Sequence, residues 1–516
     1  MSAMSTLRTR SMFVIGLTIF LICITTWGLR NPLTYPVANQ PLDSPAVGPE
    51  SSKPKLETGS ESTDEKPLQL EHVIPDHPTY KPERIPDLPP IVDNFPLAAA
   101  AHSAADLPPI PPWNKPPNPH LPDKTPLFIG FTRNWRLLQQ TVVSYITAGW
   151  PAEDIFVVEN TGAMKSNELG LLSLQNPFFL NHTRLHMFGV NIIVTPTLFT
   201  FAQMQNFFLW TAIEKNYTTY FWGHMDVIVL SLENRTSEYF SDSIGQPNGT
   251  YEGLNTVYTR AVRTLRKATG KGPDPFSTDL EKPWAARFFA YDRLALVNRE
   301  AFESIGGWDT SIPYYQTDCD MHDRLKMYGY EYNEADVDAG MVIDVADSLD
   351  DLIVLYRKKG TVEASFTNEI SEEEKAKGEA WKAEKEKWEK EEEEKDLKKH
   401  KEMEKELGPV TRDLSTKWES DIPDSAAFKN LIEVVETMER TKNERGGGGR
   451  NYWQSRQSGG EGEPYYRDPY GFQKAWWMIA EIGQAVYAEK WGHLECGLLE
   501  FGRKAGDEWR VEHDWE

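Results

Sequence analysis

The chain has 516 residues, enough for one large or two ordinary domains, and an aromatic share of 12% supplies material for a sizeable core. Its 78 acidic against 55 basic side chains give a formal charge of −23. That balance argues against nucleic acid as a partner, because phosphate binding wants a basic face.

In chain order, Met12 to Leu29 is an apolar run without a charge, long enough to cross a bilayer at about 1.5 Å per residue. Arg8 and Arg10 precede it, so the positive-inside bias predicts a cytoplasmic tail at 1–11 and a transmembrane signal anchor at 12–29. The rest would be lumenal, as a single-pass type II protein of the Golgi or endoplasmic reticulum membrane. A cleaved signal peptide is the rival reading, but the run exceeds the usual apolar length and no small-x-small site follows. Asn181, Asn216, Asn234 and Asn248 stand in N-x-[ST] acceptor sites, in keeping with that address. Besides Cys23 in the anchor there are Cys319 and Cys496, either one disulfide or two free thiols.

Residues 30–124, rich in Pro, Ser and acids, read as a solvated stem. From 125 to about 365 the pattern alternates. PLFIGF (126–131) reads as a strand. WRLLQQTVVSYITAGW (135–150) follows as a helix with Leu137, Leu138, Val142, Tyr145 and Ile146 on one side. DIFVVEN (154–160) and NIIVTP (191–196) are further strands, and the helix FAQMQNFFLWTAIEKN (201–216) runs into TTYFWGHMD. Strand alternating with helix predicts an α/β, Rossmann-type, mostly parallel sheet with helices on both faces. Ligands of such sheets bind outside the C-terminal strand ends, where His224 and Asp226 fall.

That pair is the chemical signal. Two residues apart on extended backbone, both side chains point the same way, and burying either is costly unless it is paired or on a metal. Imidazole plus carboxylate suits Mn²⁺, with Mg²⁺ as second choice, and such an ion can bridge a diphosphate.

Beyond it, RFFAYDRLALVN (287–298) reads as one strand, REAFESIGGWD (299–309) as a short helix with a Gly stop, and DCDMHDRLKMYGYE (318–331) as a helix with an acidic start. Residues 366–408 read as a solvated Glu/Lys helix. Residues 409–516 are expected to dock on the catalytic domain. They hold a Gly-rich loop (446–472), either a lid or a linker, and a helix at 475–491 with Trp476, Ile479, Ile482 and Val486 facing inward. His493 reads as a satisfied surface histidine.

The order of HMD (224–226), GGWD (306–309) and TDCDMHDRL (317–325) behind two strands resembles the inverting nucleotide-sugar glycosyltransferases of the GT-A fold, especially the family 2 class. There the corresponding segments are D-x-D, G-G-[FW]-D and E-D-x-D-x-x-x-R-L. The resemblance spans roughly 126–345 and implies a GT-A-like sheet with a charged helical and Gly-rich C-terminal extension. It implies a nucleotide-sugar pocket lined by Thr132, Arg133, Asn134, Glu159 and Asn206, and a metal on Asp226 with His224. It further implies Asp318 as general base, with Trp308, Asp309 and Asp320 near the acceptor. The acceptor would be a hydroxyl of a glycan, glycoprotein or glycolipid. Here His224 replaces the first Asp and Thr317 the Glu of the pattern. Those departures favour the alternative of a glycan-binding or scaffolding protein that has lost catalysis. A nucleotide-sugar hydrolase is a third reading, and for Asp318 a plain helix N-cap is the rival role.

Overall fold

A computed structural model describes residues 90–118, 120–233, 256–270, 283–335, 338–366, 422–444 and 459–515. The tail and anchor, the stem up to residue 89, Asn234 and Asn248, the charged stretch 371–407 and the loop residues 446–458 lie outside the described residues. The chain divides into two units, residues 1–82 and 83–516, and every described residue belongs to the second. Among the described residues no helix is long and apolar enough to cross a membrane.

The central sheet has seven strands: β1 (Leu127–Phe131), β2 (Ile155–Glu159), β3 (Asn191–Val194), β4 (Thr219–Gly223), β6 (Trp284–Phe289), β7 (Leu294–Asn298) and β8 (Glu331–Glu334). Their order is β3-β2-β1-β4-β7-β6-β8. All neighbours run parallel except β7, which is antiparallel to both β4 and β6. This is the α/β, Rossmann-type, mostly parallel sheet that the GT-A-like expectation called for.

Both faces are covered, which is why the inner strands read as unbroken apolar runs. Leu127, Ile129 and Phe131 of β1 join Val157 and Phe221 in one core, while Phe128 joins Phe156, Val158, Tyr220 and Trp222 in the other. The second core is closed by α4 (Phe201–Glu214), whose Phe208 stacks on Phe128 at 5.4 Å between ring centroids. The short helices α1 (Pro96–Ala100) and α3 (His182–Met187) flank the first core.

On that first face lies α2 (Trp135–Thr147), in which every residue but Arg136 is buried. A second, two-stranded antiparallel sheet, β5 (Val227–Leu230) with β9 (Met341–Asp344), explains this burial. Polar residues of α2 bond the backbone of β5. Thr141 Oγ1 donates to the Val227 carbonyl at 2.7 Å, and the Val229 N–H donates to Ser144 Oγ at 3.0 Å. A helix buried all round thus keeps its serine and threonine hydroxyls satisfied. The described fold is completed by the two-residue strands β10 (Ser348–Leu349) and β11 (Ala364–Ser365) and by α5 (Val257–Ala268), α6 (Arg299–Ser304), α7 (Thr317–Met327), α8 (Ala426–Glu444) and α9 (Pro469–Trp491).

Three expectations are corrected. The stretch 287–298 is not one strand but a hairpin, β6 and β7 joined through Ala290–Arg293. Residues from 90 to 118 are not a solvated stem, since Phe95 is fully buried in the first core and Trp113 and Asn114 are buried too. In α9, Ile479 and Ile482 face solvent at 41% and 62% exposure, while Ala480, Gly483, Tyr487 and Trp491 are buried. The docking side is the one whose small residues let the helix close in, with Gly483 set against the ring of Pro313.

Candidate functional site

The ends of β1 and β4, the β6–β7 turn, the start of α7 and residues from α8 and α9 surround a cavity of about 740 Å³. It opens at the C-terminal edge of the parallel strands, where Gly223 ends β4. A Cβ there would stand 2.9 Å from the Tyr145 hydroxyl oxygen, so the chain must pass Tyr145 without a side chain. The next residues, His224 and Asp226, both line the cavity.

At this end the charged groups are paired. The Lys442 Nζ, from the last turn of α8, lies 2.8 Å from Asp226 Oδ2 and 2.5 Å from Asp344 Oδ1. It also donates to the Val345 carbonyl at 3.2 Å, which uses all three ammonium protons. Burial alone would raise the Asp226 carboxyl, but Lys442 and then His224 outweigh it and hold it below its usual range. His224 lies 3.5 Å from Asp292 Oδ2 and 3.8 Å from Asp226 Oδ1, with its ring stacked on Trp222. Burial works against its imidazolium, yet Asp292 foremost, then Asp226 and Asp344, push it up to about 9.

These residues do not fit a divalent ion held by His224 and Asp226. A charged imidazole has no lone pair to give a metal, and the space between Asp226 and Asp344 holds a lysine ammonium. Among the described residues no group of three or more His, Cys, Asp or Glu is arranged to hold a metal.

Asp318 stands elsewhere on the same cavity wall. The plain N-cap reading does not describe it, because the cap position of α7 is Gln316, with φ 64° and no side-chain cap bond. Asp318 is the second residue inside the helix, half-buried, and it accepts a hydrogen bond from the Tyr291 hydroxyl at 3.3 Å. Burial first, then Asp318 and Asp292, raise the Tyr291 hydroxyl well above its ordinary value, so it stays a donor. Tyr291 reaches the site through backbone that non-glycine residues seldom adopt, with φ values of 57° at Ala290 and 56° at Tyr291. Such paired left-handed residues make a tight hairpin turn, and this one aims Tyr291 and Asp292 into the cavity.

Thr132 and Arg133 also line the cavity. Burial lowers the Arg133 guanidinium to about 10, and its plane lies 4.7 Å from the ring centre of Phe472 at the start of α9. Tyr314, Tyr315 and Trp476 form an aromatic wall, with Trp476 at 4.7 Å from the Tyr314 ring and 5.6 Å from that of Tyr315.

The remaining candidates serve the frame. Asn134, with φ 74°, caps α2 by accepting from the Leu137 N–H. Glu159 is buried among Thr161, Asn167 and His182, the last at 2.6 Å. The Asn206 amide clamps the backbone N–H and carbonyl of buried Trp308, each at 2.8 Å. Asp309 and Asp320 share Lys490 of α9 at 2.7 and 2.6 Å, and Asp320 also holds Arg324 and the Trp491 indole. His493 pairs with Asp514 through Nδ1 at 2.7 Å, but its Nε2 finds no hydrogen-bond partner among the described residues and the residue is buried rather than on the surface. Cys319 and Cys496 are bonded, with Cα atoms 5.2 Å apart, tying α7 to the segment after α9. Sequence reasoning missed Tyr291, Asp292, Asp344 and Lys442.

No family model matches the chain, and no curated protein does. Among solved structures, a mannosyltransferase from Pyrobaculum calidifontis in complex with GDP-mannose and Mn²⁺ aligns at 14% identity with a TM-score of 0.24. The match covers 43% of this chain and 57% of that one, a likeness too slight to carry an argument about this site.

Proposed function

We propose that the protein is a glycosyltransferase that moves a sugar from a nucleotide-sugar donor to a hydroxyl of a glycan, glycoprotein or glycolipid, with inversion. One observation carries this reading. Of the four cavity carboxylates, Asp226, Asp292 and Asp344 each have Lys442 or His224 as cationic partner, whereas Asp318 has only a neutral phenol among the described residues.

A carboxylate left without a cation, half-buried and aimed by one hydrogen bond, suits a general base. Asp318 would take the proton from the acceptor hydroxyl as its oxygen bonds the anomeric carbon. The bond from that carbon to the diphosphate oxygen breaks, and its electron pair leaves with the diphosphate. One displacement inverts the centre. Thr132 and Arg133 stand where a nucleotide would lie against the end of β1, and Tyr314, Tyr315 and Trp476 offer rings to the apolar faces of sugars. The Cys319–Cys496 bond supports a secretory-pathway address, since disulfides persist in oxidising compartments.

Incubation with a panel of nucleotide sugars, with and without glycan acceptors, tests the proposal, and NMR of the product reports the anomeric configuration. Transfer with inversion is expected. Release of free sugar regardless of acceptor would replace it with a hydrolase. Absence of turnover with every donor, alongside retained glycan binding, would leave a scaffold of the same fold.

A further inference from the structure

Lys442 is 1% exposed in its side chain and lies 216 residues after Asp226, on a helix that the sheet domain does not need for its own topology. Its position is nevertheless fixed. Phe428, Leu431, Val435 and Met438 of α8 are all buried in the first core. On the same helix Glu439 pairs with Arg293 of the β6–β7 turn at 2.7 Å. A long side chain so held is a built part of the cavity wall rather than a swinging surface lysine.

What it does there follows from its neighbours. Asp226 and Asp344 approach one ammonium at 2.8 and 2.5 Å. Without it two like charges would stand close together and repel any anionic ligand entering the cavity. A divalent ion could reach them only by displacing Lys442 from three hydrogen bonds. We infer that Lys442 takes the place of a divalent cation at this acid pair, so that a nucleoside diphosphate binds in the cavity without metal. The inference rests on the donor-site reading above. It adds that the positive charge offsetting Asp226 and Asp344 comes from the C-terminal extension of the chain itself.

The test is calorimetric titration of the full chain with UDP, GDP and ADP, in EDTA and again with excess Mn²⁺. At least one diphosphate should bind in EDTA, with an affinity that Mn²⁺ changes by less than about two-fold. Lys442→Met should weaken that binding by about ten-fold or more, the usual scale for losing a charged partner. Because that change leaves two buried carboxylates facing each other, Asp344→Asn/Lys442→Met is measured beside it. The double variant removes one of the two facing charges together with the ammonium, so it should bind within about two-fold of wild type. Binding that appears only with Mn²⁺, that Lys442→Met leaves unchanged, or that the double variant fails to recover, overturns the inference while leaving the donor reading intact. Failure of all three diphosphates to bind under either condition removes the donor reading, and this inference with it.

Discussion

Two aspartates on one cavity wall have opposite surroundings. Asp226 ends a core strand, is 7% exposed, and is locked to a lysine that also holds Asp344. Asp318 sits in the first turn of a helix, is partly open, and accepts a hydrogen bond from the Tyr291 hydroxyl, with no lysine or arginine paired to it among the described residues. A carboxylate neutralised by a buried ammonium contributes to the fold and shapes the local charge, but it cannot readily take a proton. One that accepts from a phenol has no ammonium to displace and stays open to the cavity. On the proposed reading the difference puts Asp226 in the frame of the site and Asp318 in its chemistry, although in sequence both are merely an Asp in a short motif.

The sharpest way to break that contrast is Asp318→Asn, which keeps the shape and the hydrogen bond from Tyr291 but cannot accept the proton. Transfer should fall by roughly 10²- to 10⁴-fold, the range for losing a general base. Donor affinity and thermal midpoint should stay near wild type, because Asp318 has no ion pair to lose among the described residues. A wild-type rate would return Asp318 to the frame.

The contrast extends to the lobes that hold each residue. Asp318 lies in the first turn of α7, and its neighbour Cys319 is bonded to Cys496 across 177 residues of sequence. Cys319→Ser should lower unfolding stability by about 2–5 kcal/mol, the usual cost of removing a native bridge. Denaturant titration of wild type and variant, each with and without reductant, reads this out. Reductant should bring wild type down to the variant and leave the variant unmoved.

Much of this arrangement was legible in sequence, for physical reasons that also mark where legibility stops. Strands β1, β2 and β4 announced themselves because burial on both faces leaves no polar alternation to confuse them. His224 and Asp226 stood out because polar groups at the end of such a strand demand partners, but the lysine that pairs with Asp226, Lys442, was not among those the sequence suggested. Nothing local marks Lys442, since its role depends on a helix packing 216 residues away from Asp226. The turn carrying Tyr291 was missed because left-handed backbone is normally signalled by Gly or Asn, and Ala290 and Tyr291 are neither. In helix α9, Trp476 and Val486 pack inward as their spacing suggested, but Ile479 and Ile482 face solvent, because the small Ala480 and Gly483 take the close contact there.

Replacing Tyr291 tests the phenol's share in the chemical half. Tyr291→Phe removes one hydrogen bond to Asp318 and leaves the ring, so the loss should be about 0.5–1.5 kcal/mol of transition-state stabilisation, up to about ten-fold in kcat. The decrease should appear in kcat more than in KM, because the bond orients the base rather than the donor. A change confined to KM would place Tyr291 in substrate binding.

The smallest expected effect concerns the pair that docks α9 beside the site. Burial alone would raise the Asp309 carboxyl, but Lys490 at 2.7 Å, together with the Ser311 N–H, outweighs it and holds it below its usual value of 3.8. A folded-state value depressed below the unfolded one contributes stability that is present above the unfolded pKa and lost as pH falls through the folded pKa. The Asp309 side chain is 24% exposed, so solvent screens the pair and the contribution should be no more than about 1 kcal/mol at neutral pH. Asp309→Asn should therefore unfold at lower denaturant than wild type at pH 7. The gap should stay constant down to about pH 4 and close as the pH falls further. Lys490 retains Asp320 in that variant, so α9 should remain docked. A gap that persists unchanged at pH 2 would show that Asp309 acts through the shape of its loop and not through its charge.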